Sequence, residues 1–266
     1  MLDFSLSGRL IEIRYKYCEM SVPDFMRFAR KLGYKAVELR STQITADTTE
    51  VEVEELRGTA DDMELGISGV FMPGNLPADD SGLQRLEMFA GIVQKLGCDT
   101  LKTWVKDVDW IQRICDMLRE RGMKLITQTH TGGPFETTAL CLDTIKQIDR
   151  PNFGLQYDPA NFFEAEEDYG EETVVKLGEH IRQLSVQNCR LAGREEESDW
   201  EHEGRYYKRC VLWDPEGLEY NSVVKGLKAI RFNGYVTFNE TKPTLMDTES
   251  FTGMTLEELQ RLFNSE

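Results

Sequence analysis

The run Phe153-Gly154-Leu155-Gln156-Tyr157-Asp158-Pro159-Ala160-Asn161 places a carboxylate at the end of an apolar stretch, a proline that turns the backbone, and an amide that opens the next segment. Asp158 could hold a divalent cation through a hard oxygen or orient a substrate hydroxyl, and Asp-Pro is also suited to a cap or turn. Leu125-Ile126-Thr127-Gln128-Thr129-His130-Thr131-Gly132-Gly133 repeats the layout, with an amide and an imidazole ahead of a flexible Gly pair. His130 could serve as a general base, a metal ligand or a hydroxyl-binding group near its intrinsic pKa. The other two histidines carry no chemistry: His180 falls at a helix end, where it suits the macrodipole, and His202 lies in an acidic loop.

Side chains alternate along a strand, so polar residues two apart near its end share a face. Glu12 with Arg14, Gln128 with His130, Ser185 with Gln187, and Thr237 with Asn239 are such pairs. Lys102, Glu38 and Arg40 are charges within otherwise apolar strands. A buried unpaired charge is costly, so each should meet a partner in the barrel mouth or interior, whether a structural counter-ion or a substrate. Trp104 and Trp213 could stack on a sugar face or simply pack. The six cysteines are scattered with no Cys-x-x-Cys pair, which argues against a zinc knuckle or redox motif. Cys189, just past a strand end, is the one with a reactive-thiol alternative.

These residues need a scaffold that gathers strand ends. Six stretches repeat one grammar: an amphipathic helix, a Gly or Asn stop, then a short apolar strand with a polar tail. The strands are Tyr34–Arg40, Cys98–Val105, Met123–His130, Phe153–Asp158, Ile181–Asn188 and Tyr235–Glu240. Helices alternating with buried strands signal a parallel sheet, whose neighbours need helical crossovers. An opening strand near Leu10–Tyr15 and another at Gly66–Met72 complete eight. The expected fold is α/β, a (β/α)8 TIM barrel of one domain over residues 1–266, with its active site at the strand C-termini.

The formal charge of −16 disfavours nucleic acid or an anionic membrane as partner, because both require positive surface. Acid concentrates in Asp47–Glu64, Glu164–Glu172 and Glu195–Glu203, read as solvated faces. No secretory leader or membrane-length apolar run is visible, so a cytoplasmic protein is expected. No Gly-rich nucleotide cradle is present, so no nucleotide cofactor is expected. A homo-oligomer is left open.

Gly33-Tyr34-Lys35-Ala36-Val37-Glu38-Leu39-Arg40, Gln128-Thr129-His130-Thr131-Gly132, Asp158-Pro159-Ala160-Asn161 and Gly234-Tyr235-Val236-Thr237-Phe238-Asn239-Glu240 resemble the sugar phosphate isomerase/epimerase group of xylose isomerase-like barrels. The resemblance covers nearly the whole chain. It implies a divalent metal, manganese, magnesium or zinc, held by acidic and His residues from four strands. That cation would polarise a carbonyl while acid/base groups move a neighbouring proton. Against the family pattern, Gln128 stands where a Glu is usual and Asn161 where a His follows the Asp. Ser185-Val186-Gln187-Asn188 occupies another His region, and Asn239 replaces the last Glu, with Glu240 one residue late. Asp158 is the secure match. Amides keep an oxygen donor but remove a full charge, which weakens a hard dication's site. Asn239 and Glu240 would face opposite ways on a regular strand, and a bulge could turn Glu240 inward.

The expected activity is a sugar isomerase or epimerase that moves a proton next to a carbonyl of a sugar, sugar acid or cyclitol. Asp158, His130 and Glu240 are its chemistry; Gln128, Asn161, Gln187, Lys102, Asn239, Arg14 and Glu38 bind substrate. Asp158, Gln128, Gln187 and Glu240 are the candidate metal ligands. The alternative is a barrel that has lost catalysis and binds carbohydrate as a sensor or partner subunit. An endonuclease-like activity of the same superfamily is disfavoured by three histidines and an acidic chain.

Overall fold

Short runs in which every side chain is buried, such as Ala36–Leu39 and Thr100–Thr103, become inner strands, because one face meets the surrounding helices and the other the barrel axis. The computed structural model describes residues 2–74, 76–243 and 246–264. Eight parallel strands close into a barrel: β1 (Phe4–Ser7), β2 (Ala36–Leu39), β3 (Gly66–Phe71), β4 (Thr100–Thr103), β5 (Lys124–Gln128), β6 (Phe153–Tyr157), β7 (Ile181–Val186) and β8 (Val236–Phe238). β1 pairs with both β2 and β8, which seals the ring. The fold is therefore the (β/α)8 TIM barrel expected from the sequence.

The helical punctuation works as its residue types require. Ser21 caps helix Val22–Leu32 through the Asp24 amide, and Gly33 ends it in the left-handed region at φ 101°. Thr49 and Glu52 form a reciprocal capping box at the start of Glu50–Asp62.

The opening strand is a correction. Residues 10–15 are not in the barrel, where Phe4–Ser7 takes that place. Phe4 and Leu6 join the hydrophobic core, while Ser5 meets Ser68 at 2.7 Å and Ser7 donates to Glu38 at 2.9 Å. Gly8–Ile11 then forms a 3-10 turn, and Glu12–Ile13 pairs antiparallel with Tyr17–Cys18. Arg14 and Tyr15 form the hairpin tip with φ of 51° and 58°. Glu12 and Arg14 therefore do not share a barrel-facing side.

The axis is filled by a polar network rather than by aliphatic layers. Glu38 accepts from Ser7, from Lys102 at 3.3 and 3.4 Å, and from Gln156 at 2.7 Å. Gln156 reaches Gln183 at 3.1 Å, and Gln183 donates to the Ser68 carbonyl. The register shifts beside Glu38 and beside Gln156, where the partner strands carry one extra residue each, Ser68 in β3 and Arg182 in β7.

Cys189–Leu191, Trp200–His202 and Arg205–Arg209 add a three-stranded antiparallel sheet between β7 and β8 that the sequence grammar did not announce. Among the described residues, no helix is long and apolar enough to cross a membrane.

Candidate active site

The strand C-termini surround a cavity of about 720 Å³, counting its open mouth. Its floor carries three amides. Gln128 ends β5, while Gln187 and Asn239 each lie one residue past β7 and β8. Below them sits Asp158, fully buried and absent from the lining. Its Oδ2 accepts from Gln128 Nε2 at 2.5 Å and from Gln187 Nε2 at 3.0 Å, and its Oδ1 caps the helix Pro159–Glu164 through the Ala160 amide. Burial pushes its pKa up to about 6, opposed by hydrogen bonds from Ser185, Gln128 and Gln187 and by the Lys102 charge. Asp158 thus orients the floor amides and does not itself face the cavity, which corrects its reading as a direct chemical group.

Two other carboxylates do line the cavity. Glu164, at the end of that short helix, is buried, and its pKa is pushed up to about 7, first by burial and then by the nearby Asp158 charge. The Trp200 indole N–H opposes the rise by bonding to Glu164. This overturns the reading of Glu164 as part of a solvated acidic face: Tyr207 donates to its carbonyl at 3.3 Å, and the inserted sheet covers it. Glu240 is also raised by burial, which Arg209 resists from 2.8 Å with its Nε. Because β8 stops at Phe238, Asn239 and Glu240 both reach the cavity, and strand alternation no longer separates them.

His130 lines the same cavity, with its ring edge-on to Trp104 at 5.1 Å between centroids. Desolvation holds its pKa below the ordinary value, which favours the neutral imidazole. Asn161 is buried on the helix Pro159–Glu164, and its Nδ2 has no hydrogen-bond partner among the described residues, nor does Asn239 Oδ1. Both residues line the cavity with a buried polar atom left unsatisfied, a donor on Asn161 and an acceptor on Asn239.

The structure gathers His130, Glu240, Gln128, Asn161, Gln187 and Asn239 at one cavity. It does not bring Arg14, Lys102 or Glu38 there. Arg14 is exposed at the hairpin tip, and Lys102 and Glu38 pair with each other, fully buried, beneath the floor. Trp104 lines the cavity; Trp213 packs against the core. Cys189 is buried and its thiol pKa is pushed up by burial, opposite to what a reactive thiol needs. Arg9, Tyr15, Arg40, Glu164, Trp200 and Arg209 complete the lining. Of these, only Arg40 stood out in the sequence, as a charge in need of a partner.

The donor set does not fit the divalent metal the resemblance implied. Of the four candidate ligands, Gln128 and Gln187 point their N–H groups at Asp158, and Glu240 is turned to Arg209. Among the described residues, no group of three or more His, Cys, Asp or Glu side chains could hold a metal ion. A hard dication requires several converging oxygens, and here N–H donors occupy the carboxylate that would anchor it.

A family model described as the xylose isomerase-like TIM barrel matches residues 26–250. A 3-dehydroshikimate dehydratase of Bacillus anthracis is 21% identical over 177 residues, 59% of this chain; the match spans 62% of that relative's length. Among solved structures, a probable 3-DHS dehydratase from Bacillus anthracis superposes with a TM-score of 0.74 at 16% identity, covering 97% of this chain and 99% of that one. A D-psicose 3-epimerase crystallised in the presence of D-fructose gives 0.76 at 12%, covering 99% and 100%. A Mycobacterium smegmatis barrel in complex with magnesium gives 0.72 at 13%, covering 98% and 96%. At these identities the structural likeness establishes the fold.

Proposed function

This chain belongs to the xylose isomerase-like TIM barrel family, and from that premise we propose that it is an enzyme moving a proton at a carbon beside the carbonyl of a sugar, sugar acid or cyclitol. The observation that carries the reading is the pair of buried carboxylates, Glu164 and Glu240, both with raised pKa, facing one cavity floored by amides. Glu164, pushed up to about 7, can accept a proton from carbon and return it, which is the requirement for isomerisation, epimerisation or dehydration. Glu164 is the primary base, Glu240 with its Arg209 partner the second acid/base group, and neutral His130 a hydroxyl-binding or shuttling group. Gln128, Gln187, Asn161 and Asn239 hold hydroxyls, and Trp104 supplies an aromatic wall. Negative charge growing on the carbonyl oxygen is met by the guanidinium groups that line the cavity and by the Asn161 amide, the one whose N–H is not already engaged among the described residues. The epimerases and dehydratase among the relatives are consistent with this chemistry.

The test is exchange of carbon-bound hydrogen in deuterated water, followed by NMR across a panel of ketoses, aldonates, uronates and inososes, with and without manganese. Exchange with at least one substrate is expected, reduced about 10²- to 10⁴-fold in Glu164→Gln. No exchange with any member would overturn the proposal. The amides at ligand positions also favour a second reading, a barrel that only binds carbohydrate. That reading predicts thermal stabilisation by a sugar without exchange.

A further inference from the structure

The cavity wall that includes Glu164 also carries two guanidinium groups that share one carboxylate. Arg40 follows β2 directly and is 6% exposed, and Arg9 lies in the turn after β1. Arg40 Nε is 3.3 Å and Arg9 Nη1 3.4 Å from the same oxygen, Glu12 Oε2, while Glu12 Oε1 accepts from Thr42 at 2.7 Å. Arg40 Nε nonetheless has no hydrogen-bond partner among the described residues. The guanidinium planes are held by stacking: Arg9 lies 4.0 Å over the Tyr15 ring and Arg40 4.7 Å over Phe71. Stacking of this kind fixes the planar fork and leaves its N–H edge free for an oxyanion.

Arg9 and Arg40 share the single carboxylate of Glu12, while Lys102 pairs with Glu38 and also feels the charge of Asp158. Asp158, the next carboxylate, is tied to Gln128 and Gln187. A nearly buried, underpaired guanidinium is costly unless an anion completes it, and in a chain of net charge −16 this is a local positive focus.

We infer that Arg40 and Arg9 form an oxyanion subsite that reads the carboxylate of the substrate, so that the natural substrate is a sugar acid rather than a neutral sugar. This rests on the proton-transfer reading for the reaction but not for the binding. Two guanidinium groups on the one carboxylate of Glu12 leave room for one further monoanion, which suits a carboxylate better than a phosphate dianion. An acid group held at Arg40 would also fix the substrate while Glu164, in the same cavity, addresses one of its carbons.

Calorimetry and thermal shift with D-glucuronate, D-gluconate, their neutral counterparts D-glucose and D-glucitol, glucose 6-phosphate and inorganic phosphate test this. The acids are expected to bind at least about tenfold more tightly than the neutral compounds, a preference lost in Arg40→Gln and reduced in Arg9→Gln. If Arg40→Gln fails to fold, Arg9→Gln and the charge-balanced Arg40→Gln/Glu12→Gln pair decide. Equal binding of acids and neutral sugars, no preferential binding of either acid, or acid binding unmoved by the substitutions overturns the subsite. Preference for glucose 6-phosphate and phosphate alone overturns the carboxylate assignment. Arg40-dependent acid binding without hydrogen exchange sinks the proton-transfer reading and leaves the subsite standing. Exchange on neutral sugars, unchanged in Arg40→Gln, does the reverse.

Discussion

Gln128 covers Asp158: its amide nitrogen lies 2.5 Å from Asp158 Oδ2, so the cavity meets a neutral amide where a carboxylate stands just beneath. The N–H donors of Gln128 and Gln187, with the Lys102 charge nearby, stabilise Asp158 in the place a bound metal would take. Exhaustive chelation or added manganese should leave the wild-type denaturation temperature unchanged. Gln128→Glu/Asn239→Glu places carboxylates beside Asp158, so like charges should lower stability without metal. Manganese at a hundredfold excess over its Kd should then restore about 2.7 kcal/mol. Titration calorimetry of both proteins checks the pair of outcomes; tight manganese binding by the wild type would contradict the donor geometry.

Stability and activity should respond to pH in opposite senses. Burial raises Glu164 from 4.5 to about 7, so the folded protein binds the proton more tightly than the unfolded chain. The associated stability is fully present below the unfolded value, falls as pH rises through the folded one, and is gone above it. For Glu164 alone this is on the order of 2–3 kcal/mol. Activity that needs ionised Glu164 should rise over the same interval. Thermal melts between pH 5 and 8 should show the decline, and Glu164→Gln should flatten it; an unchanged slope in that variant would assign the titration elsewhere.

The barrel was legible because Gly33, Gly97 and Gly122 stop their helices at positive φ, and each is followed by a run that is buried on both faces. Gln128 was legible as well, since alternation fixes its face on β5, whereas Asn239 lies past the end of β8, where alternation no longer decides. β1 was not: its Ser5 and Ser7 face a polar axis, so Phe4–Ser7 looked less strand-like than Leu10, Ile11 and Ile13. Glu164 was hidden for a different reason. Its burial comes from Trp200 and Tyr207, on short strands rich in charge that read as an acidic loop, and nothing local to Glu164 announces that they fold over it.

The ion pair under the floor gives a stability prediction free of the chemistry. Lys102 and Glu38 are both fully buried. Burial alone would raise the Glu38 pKa, but the Lys102 and Arg40 charges and the Gln156 and Ser7 hydrogen bonds hold it below the usual value. Lys102→Met leaves that carboxylate uncompensated and should cost about 3–5 kcal/mol. Lys102→Met/Glu38→Gln should recover most of the loss, because the orphaned charge is gone. Urea denaturation of the single and double variants at neutral pH closes the cycle; additive losses would mean that the two side chains are not coupled.

Arg209 ties the inserted sheet to the barrel through Glu240 at 2.8 Å, and its guanidinium also lies 4.7 Å over the Trp200 ring. Since Arg209 is 40% exposed, solvent screens the pair, and Arg209→Ala should cost only about 1 kcal/mol in global stability. The local consequences should be larger. Without the guanidinium, burial acts on Glu240 unopposed by its main cation, so its pKa rises further. The strands Trp200–His202 and Arg205–Arg209 should exchange amide hydrogens faster, and Glu164, which depends on Trp200 for a hydrogen bond, should lose part of its cover. The pH at which activity becomes half-maximal should therefore shift upward in Arg209→Ala, with Arg209→Lys partly restoring it. A variant whose hydrogen exchange and pH profile both match the wild type would show that the sheet is held by Tyr207 and its own packing, with Arg209 no more than a surface contact.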